Sequence, residues 1–125
     1  MARVLLADDN PTSRLTLQTV LEAGGYRVDS AASAAEAVGL LDESEYQLVI
    51  SDLEMESPNS GLKVLAHAKM KDYRPATALV TSWHGGHPKP GRDNELLIEP
   101  EDVPELLGKV ASLIGTRAVQ RSRRG

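Results

Sequence analysis

The residues in this chain best suited to chemistry are acids and hydroxyls that stand directly after short apolar runs. Val4-Leu5-Leu6-Ala7 leads into Asp8-Asp9, Leu48-Val49-Ile50 into Ser51-Asp52, the run from Ala76 ends in Thr81-Ser82, and Leu96-Leu97-Ile98 meets Glu99-Pro100. Continuous apolar runs of this length read as strands buried on both faces. In open parallel sheets, ligands sit beyond the carboxyl ends of the strands. Asp8, Asp9 and Asp52 would then crowd into one crevice, which is tolerable if a cation binds or protons are taken up. With oxygen ligands only, the hard ion Mg2+ is the natural occupant. Each acid also has a plain structural use. Asp8 and Asp9 could favour the N-terminus of the following helix through its dipole, and Asp52 could be a turn residue. Their joint occurrence at two strand ends favours the ligand reading.

The elements that must position these residues alternate along the chain. Asn10-Pro11 reads as an N-cap followed by proline at the first helical position. Leu15, Leu17, Val20 and Leu21 supply an apolar face before Gly24-Gly25 stops that helix. Tyr26 to Ala31 alternates like a second strand. Ser33-Ala-Ala-Glu36 matches a capping box, with Ala37, Val38, Leu40 and Leu41 continuing the helix. After the third strand, Leu62 to Met70 resumes helical spacing. Val103 to Ile114 closes the chain as an amphipathic helix. A repeated strand–helix order predicts a doubly wound, five-stranded parallel sheet with helices on both faces. One helix is expected to be shortened or missing between the fourth and fifth strands. There, three glycines and two prolines fall between Gly85 and Gly91, and an interior proline costs a helix about 3 kcal/mol and each glycine about 1 kcal/mol.

Composition excludes several classes. At 125 residues the chain fits one domain with one core. Aromatics are only 3% with no Phe, so the core is expected from Leu, Val, Ile and Ala, and base stacking is disfavoured. A formal charge of -4 argues against nucleic-acid or membrane binding by the whole surface. Arg117, Arg121, Arg123 and Arg124 make the end locally basic, so residues 117–125 read as a tail or linker start after a domain of residues 1–116. Without cysteine there is no disulfide or thiolate chemistry. The N-terminal apolar stretch is too short for a signal peptide or a membrane span, which makes a cytoplasmic protein the default expectation.

"LLADDNPTSRLTL", "LVISDLEM" and "ALVTS" resemble the receiver domain of two-component response regulators, CheY-like, over residues 3 to 115. The resemblance implies a flavodoxin-like fold with strand order 2-1-3-4-5. It implies that Asp52 is the phosphoacceptor, taking a phosphoryl group from a phosphohistidine on a sensor histidine kinase or a phosphotransfer protein. A carboxylate is a competent nucleophile towards phosphorus, with positioning and a metal supplying most of the catalysis. By the same resemblance, Asp9 would bind Mg2+ directly and Asp8 through water, with Asp52 and the backbone carbonyl of Glu54 completing the protein ligands. Thr81 would turn its hydroxyl to the phosphoryl oxygens as the switch. An output domain or partner protein and a weak homodimer also fit the family. The domain would be no classical enzyme, its chemistry going no further than self-catalysed phosphotransfer and dephosphorylation.

The chain departs from the family pattern at several points. The last strand of a receiver ordinarily ends in Lys-Pro, the lysine pairing with the phosphoryl group; here it is Glu99-Pro100. At about 4 Å and an effective dielectric of 20, each unit of charge is worth roughly 4 kcal/mol before relaxation. Glu99 could turn to solvent, add a metal ligand, bond Lys89 or Arg92, or mark a receiver that is no longer phosphorylated. Leu96 stands where an aromatic is usual. The loop "LEMESPNSG" lacks the usual Met-Pro turn, with Pro58 displaced and Gly61 one place late. His84 and His87 form a His-x-x-His pair that could touch a metal, a reading weakened by the absence of cysteine. Two other functions therefore stand beside the phosphoacceptor: a pseudo-receiver acting as a phosphorylation-independent interaction module, and a Mg2+-dependent phosphohydrolase using Asp52. The third is disfavoured, because neither a glycine-rich phosphate loop nor an Asp-x-Asp motif is present.

Overall fold

A computed structural model describes residues 2–53, 55–80, 96–98 and 103–124, the backbone alone for 96–98, 103–105 and 118–124. The elements follow in the order β1 (Arg3–Ala7), α1 (Pro11–Ala23), β2 (Arg27–Ala31), α2 (Ala34–Glu43), β3 (Leu48–Asp52), α3 (Ser60–Lys69), β4 (Ala76–Val80), β5 (Leu96–Ile98) and α4 (Val103–Arg124). The five strands form one sheet in the order β2-β1-β3-β4-β5, and every neighbouring pair is parallel. The parallel, doubly wound sheet is the one expected from the strand–helix alternation, and its flavodoxin-like strand order is the one the receiver resemblance implies. The expected loss of a helix between the fourth and fifth strands concerns residues outside those described.

Alternation along each strand divides the core between the two faces of the sheet. Val4, Leu6, Leu48, Ile50, Ala78 and Val80 point to one side, where Leu17 and Leu21 of α1 and Leu106 and Val110 of α4 cover them. Leu5, Ala7, Val49 and Leu79 point to the other, beneath Ala37 and Leu41 of α2 and Val64, Leu65 and Ala68 of α3. Burying one such aliphatic side chain is worth roughly 1.5–3 kcal/mol. The core thus holds β1, β3 and β4 in a common register.

The helix starts follow their caps. The Asn10 side chain accepts hydrogen bonds from the N–H groups of Thr12 and Ser13 at 2.9 and 3.0 Å, with Pro11 in the first turn. Ser33 accepts from Glu36 N–H at 3.1 Å. The Glu36 carboxylate reaches back to the N–H of Ala32 at 3.4 Å. After α1, Gly25 takes φ 95°, a left-handed turn open to glycine without strain.

Three expectations need correction. Leu15 is not on the buried face of α1 but 66% exposed, because it stands two residues before Leu17 and so about 200° around the helix. The core is not wholly aliphatic, since Tyr46 and Tyr73 are buried in it. Their hydroxyls are satisfied, Tyr46 donating to Asp29 at 2.8 Å and Tyr73 to the Leu41 carbonyl at 3.0 Å. Finally, the last helix does not stop near Ile114 but continues to Arg124. Arg117 helps to hold it there by donating to the carbonyl oxygens of Arg74 and Tyr73 at 2.9 and 2.8 Å. Among the described residues, no helix is long and apolar enough to cross a membrane.

Candidate metal centre at the carboxyl ends of the strands

The central strands β1 and β3 are hydrogen-bonded neighbours, with Ala7 opposite Ser51. Residues that follow them in sequence therefore emerge side by side. Asp8, Asp9 and Asp52 each offer a carboxylate oxygen, and these atoms all lie within 4.8 Å of one another. Asp8 and Asp52 are 3% and 4% exposed, whereas Asp9 is open to solvent. Two buried acids thus stand beside a third that faces solvent.

Backbone contacts hold the acids. Asp8 donates its N–H to the Ala31 carbonyl at the end of β2. Its carboxylate accepts from the N–H of Asn10 at 2.9 Å, and its carbonyl accepts from Arg14 at 2.8 Å. The helix-capping use considered for Asp8 is thus taken by Asn10 instead. Burial pushes the Asp8 carboxyl above its ordinary pKa, and the charge of Asp9 adds to the rise. The Asn10 N–H, a hydrogen bond with Asp52 and the charge of Arg14 each oppose it, the first most strongly. In the folded protein, Asp8 thus carries a penalty for being ionised that a bound cation would relieve. Among the described residues, the three carboxylates have no nitrogen or sulfur ligand beside them, a donor set suited to a hard divalent ion, so the cluster could hold a metal.

Below Asp52 the chain turns under tight constraint. Leu53 donates its N–H to the Val80 carbonyl at 3.1 Å, and Gly61 donates to the Leu53 carbonyl at 3.2 Å. A Cβ on Gly61 would lie 2.2 Å from the carbonyl oxygen of Asp52 and 2.7 Å from that of Leu53. Glycine is therefore required where α3 passes beneath the phosphoacceptor candidate. The sequence showed Gly61 only as displaced by one place. Its close approach to β3 is a tertiary contact.

The loop 53–59 carries two contacts that the sequence did not suggest. Buried Ser60 accepts from the N–H of Met55 at 2.7 Å and donates to the Ser57 carbonyl at 2.8 Å. Glu56 crosses to α2, its carboxylate accepting from the N–H of Ala34 at 2.9 and 3.1 Å. An acid beside a helix N-terminus was the available signal, but the two residues lie 22 apart in sequence. Of the other residues singled out, Glu54, Thr81, Trp83, His84, His87, Lys89, Arg92 and Glu99 lie outside the described residues.

An open parallel α/β sheet with a cluster of carboxylates beyond its central strands defines a protein class that binds its ligand at a topological switch point. The sequence model of the response regulator receiver domain matches residues 4–89, and the chain belongs to that family. Among curated relatives, the sensor protein EvgS of Escherichia coli K12 is 40% identical over 52 residues, which is 42% of this chain and 4% of EvgS. The CAI-1 autoinducer sensor kinase/phosphatase CqsS of Vibrio cholerae is 28% identical over 120 residues, 90% of this chain and 17% of CqsS. The chain thus spans a small part of the length of these relatives. Among solved structures, the response regulator TrrA of Thermotoga maritima, in complex with Mg2+-BeF, is 28% identical with a TM-score of 0.75. The match covers 90% of this chain and 99% of TrrA.

Proposed function

We propose that this receiver domain takes a phosphoryl group from a phosphohistidine, on a sensor histidine kinase or a phosphotransfer protein, onto Asp52. The convergence of Asp8, Asp9 and Asp52 within 4.8 Å carries the reading. A carboxylate oxygen of Asp52 attacks phosphorus, the phosphorus–nitrogen bond breaks, and the imidazole leaves with the bonding pair. Attack by water later returns phosphate and the free carboxylate. Asp9, Asp8, Asp52 and the carbonyl of Glu54 would hold Mg2+, which neutralises the charge gathered on the phosphoryl oxygens and the acids. The TrrA complex with Mg2+-BeF supports that choice of ion. Burial of Asp52 excludes bulk water and fixes the nucleophile. The Thr81 hydroxyl would bond the phosphoryl group and report its presence.

The receiver domain is read as residues 1–116 and residues 117–125 as a basic tail or linker start whose first residue, Arg117, still bonds the domain at Tyr73 and Arg74, and its location is read as the cytoplasm. Self-catalysed phosphotransfer and dephosphorylation complete its chemistry, and a weak homodimer is its expected self-association. A second reading rests on Glu99, which stands in sequence where the family has lysine: a pseudo-receiver that signals by protein contact alone.

The sole tryptophan, Trp83, is two residues from Thr81 and separates the readings by fluorescence. A response to Mg2+ and a further response to beryllofluoride support the phosphoacceptor. A response to Mg2+ followed by none to beryllofluoride or phosphodonor favours the pseudo-receiver. In that case Glu99→Lys should restore the second response; no change in this variant would clear Glu99 of responsibility.

A further inference from the structure

Charge is divided unevenly along this chain. All 18 acidic residues fall in residues 1–116 with ten of the 14 lysines and arginines, a formal charge of -8, while residues 117–125 carry four arginines and no acid. Both signs meet at the amino end of the sheet. Along α4, Leu106 and Val110 cover the core, Leu113 lines a cavity with Ala76 at the start of β4, and Arg117 reaches the carbonyls of Tyr73 and Arg74 just before that strand. The helix thus runs towards the amino end, and the residues from Ala118 to Arg124 carry it about 10 Å further. Arg121 and Arg124 follow Arg117 by four and seven residues, so they share its helix face. The acids at that end surround a cavity of about 710 Å³, lined by Asp42 and Glu43 at the end of α2, Glu45 before β3 and Asp72 before β4. Its two cations are committed within the fold, Lys71 to Asp42 and Arg3 to Asp29. Among the described residues, Glu43, Glu45 and Asp72 enter no ion pair. Their field reaches the buried Tyr73 hydroxyl, which burial first of all, and then the charges of Asp42, Glu45 and Asp72, push up to about 12.

We propose that the basic extension of α4 docks on this acidic cavity in a second copy of the chain, giving a two-fold dimer through the amino ends of the two sheets. This rests on the weak homodimer proposed above and assigns it a surface. A patch and its complement at one end of one molecule are self-complementary about a two-fold axis, because each extension meets the other copy's cavity. Without the arginines, two bodies of the same negative sign would repel. Contact through the amino ends leaves both carboxyl ends, each with its Asp52, facing away from the interface and open to a phosphodonor.

The test is the association state of the whole chain, read by sedimentation as salt is raised. From about 0.1 M to about 1 M salt the screening length falls from about 10 Å to about 3 Å, and the dimer dissociation constant should rise at least about tenfold. Reversing the extension, by Arg121→Glu, Arg123→Glu and Arg124→Glu together, should leave a monomer. So should reversing the cavity, by Glu43→Lys, Glu45→Lys and Asp72→Lys together, each variant being checked for native circular dichroism. Mixed in equal amounts, the two variants should form a heterodimer, since every extension again meets a cavity of opposite charge. A dimer insensitive to salt, a dimer that survives either reversal, or a mixture that stays monomeric overturns this surface. A wild type that is monomeric at low salt removes the homodimer as well, which is the result expected if the arginines serve only their own chain's acids. Asp8, Asp9 and Asp52 are untouched by these substitutions, so the phosphoacceptor reading stands in either case.

Discussion

The two ends of the sheet treat acidic side chains in opposite ways. At the amino end, Asp29 and Asp42 face cations. Asp29 takes a hydrogen bond from Tyr46 and an ion pair from Arg3 at 2.9 Å, and the Arg3 guanidinium lies 5.2 Å from the Tyr46 ring centre. Asp42 of α2 meets both His67 and Lys71, and those two hold its carboxyl below the usual range. At the carboxyl end, Asp8 and Asp52 are buried beside Asp9, and burial holds Asp8 above its usual range. Where charges are matched within the fold, their role ends with stability. Where like charges are gathered and desolvated, the fold carries a cost that a bound cation relieves, and such imbalance is how a functional site shows itself.

Substitutions should separate the ends in a definite order. The largest effect on stability is expected at Gly61→Ala, where the new Cβ meets the backbone oxygen of Asp52 at 2.2 Å. A loss of about 3 kcal/mol or more in urea unfolding is expected. At the amino end, Tyr46→Phe should cost about 1.5–3 kcal/mol, since the lost bond has a charged acceptor, and Tyr73→Phe about 1 kcal/mol.

The same tyrosines set an alkaline limit. Burial, first of all, pushes Tyr73 up from 10 to about 12 and Tyr46 still higher. A group whose pKa is higher in the folded state favours folding below its unfolded value. The contribution is therefore intact below pH 10 and fades as pH rises towards 12, and Tyr73→Phe should flatten that part of the stability profile.

At the carboxyl end the sign of a substitution reverses. Asp8→Asn should raise the stability of the metal-free protein near pH 7, by about 1 kcal/mol, while weakening Mg2+ binding. Because the Asp8 pKa is raised when folded, protons compete with the ion, so Mg2+ affinity should fall as pH is lowered towards the carboxylate range. A metal-free Asp8→Asn protein less stable than wild type would remove the contrast between the two ends. The smallest effect belongs to Asp42→Asn on the open surface. Its shift of the unfolding midpoint should be slight and should vanish in high salt.

Local chemistry makes much of this legible in the sequence. The apolar runs, the Asn10-Pro11 and Ser33-Glu36 caps, and the strand-end positions of Asp8, Asp9 and Asp52 depend on neighbours within a few residues. They predict the doubly wound sheet and the cluster. Four features escaped because their causes lie far along the chain. Tyr46 and Tyr73 are buried because Asp29 and the Leu41 carbonyl satisfy their hydroxyls. Arg117 carries α4 past the expected end by gripping the turn at Tyr73 and Arg74, where Arg74 itself takes φ 46°. Glu56 finds its acceptor role on another helix, and Gly61 is required by β3 rather than by its own loop. Leu15 differs for a local reason: it lies near the apolar stripe of α1 in sequence but off it around the helix.

The central claim is that the acidic cluster is a Mg2+-dependent phosphoacceptor site with Asp52 as its nucleophile. Intact mass measurement of wild-type and Asp52→Asn protein, after incubation with a small phosphodonor with and without Mg2+, addresses it most directly. One phosphoryl group on the wild type, dependent on Mg2+ and absent from Asp52→Asn, is the predicted result. An unmodified wild type, or a phosphoryl group retained in Asp52→Asn, would contradict the account.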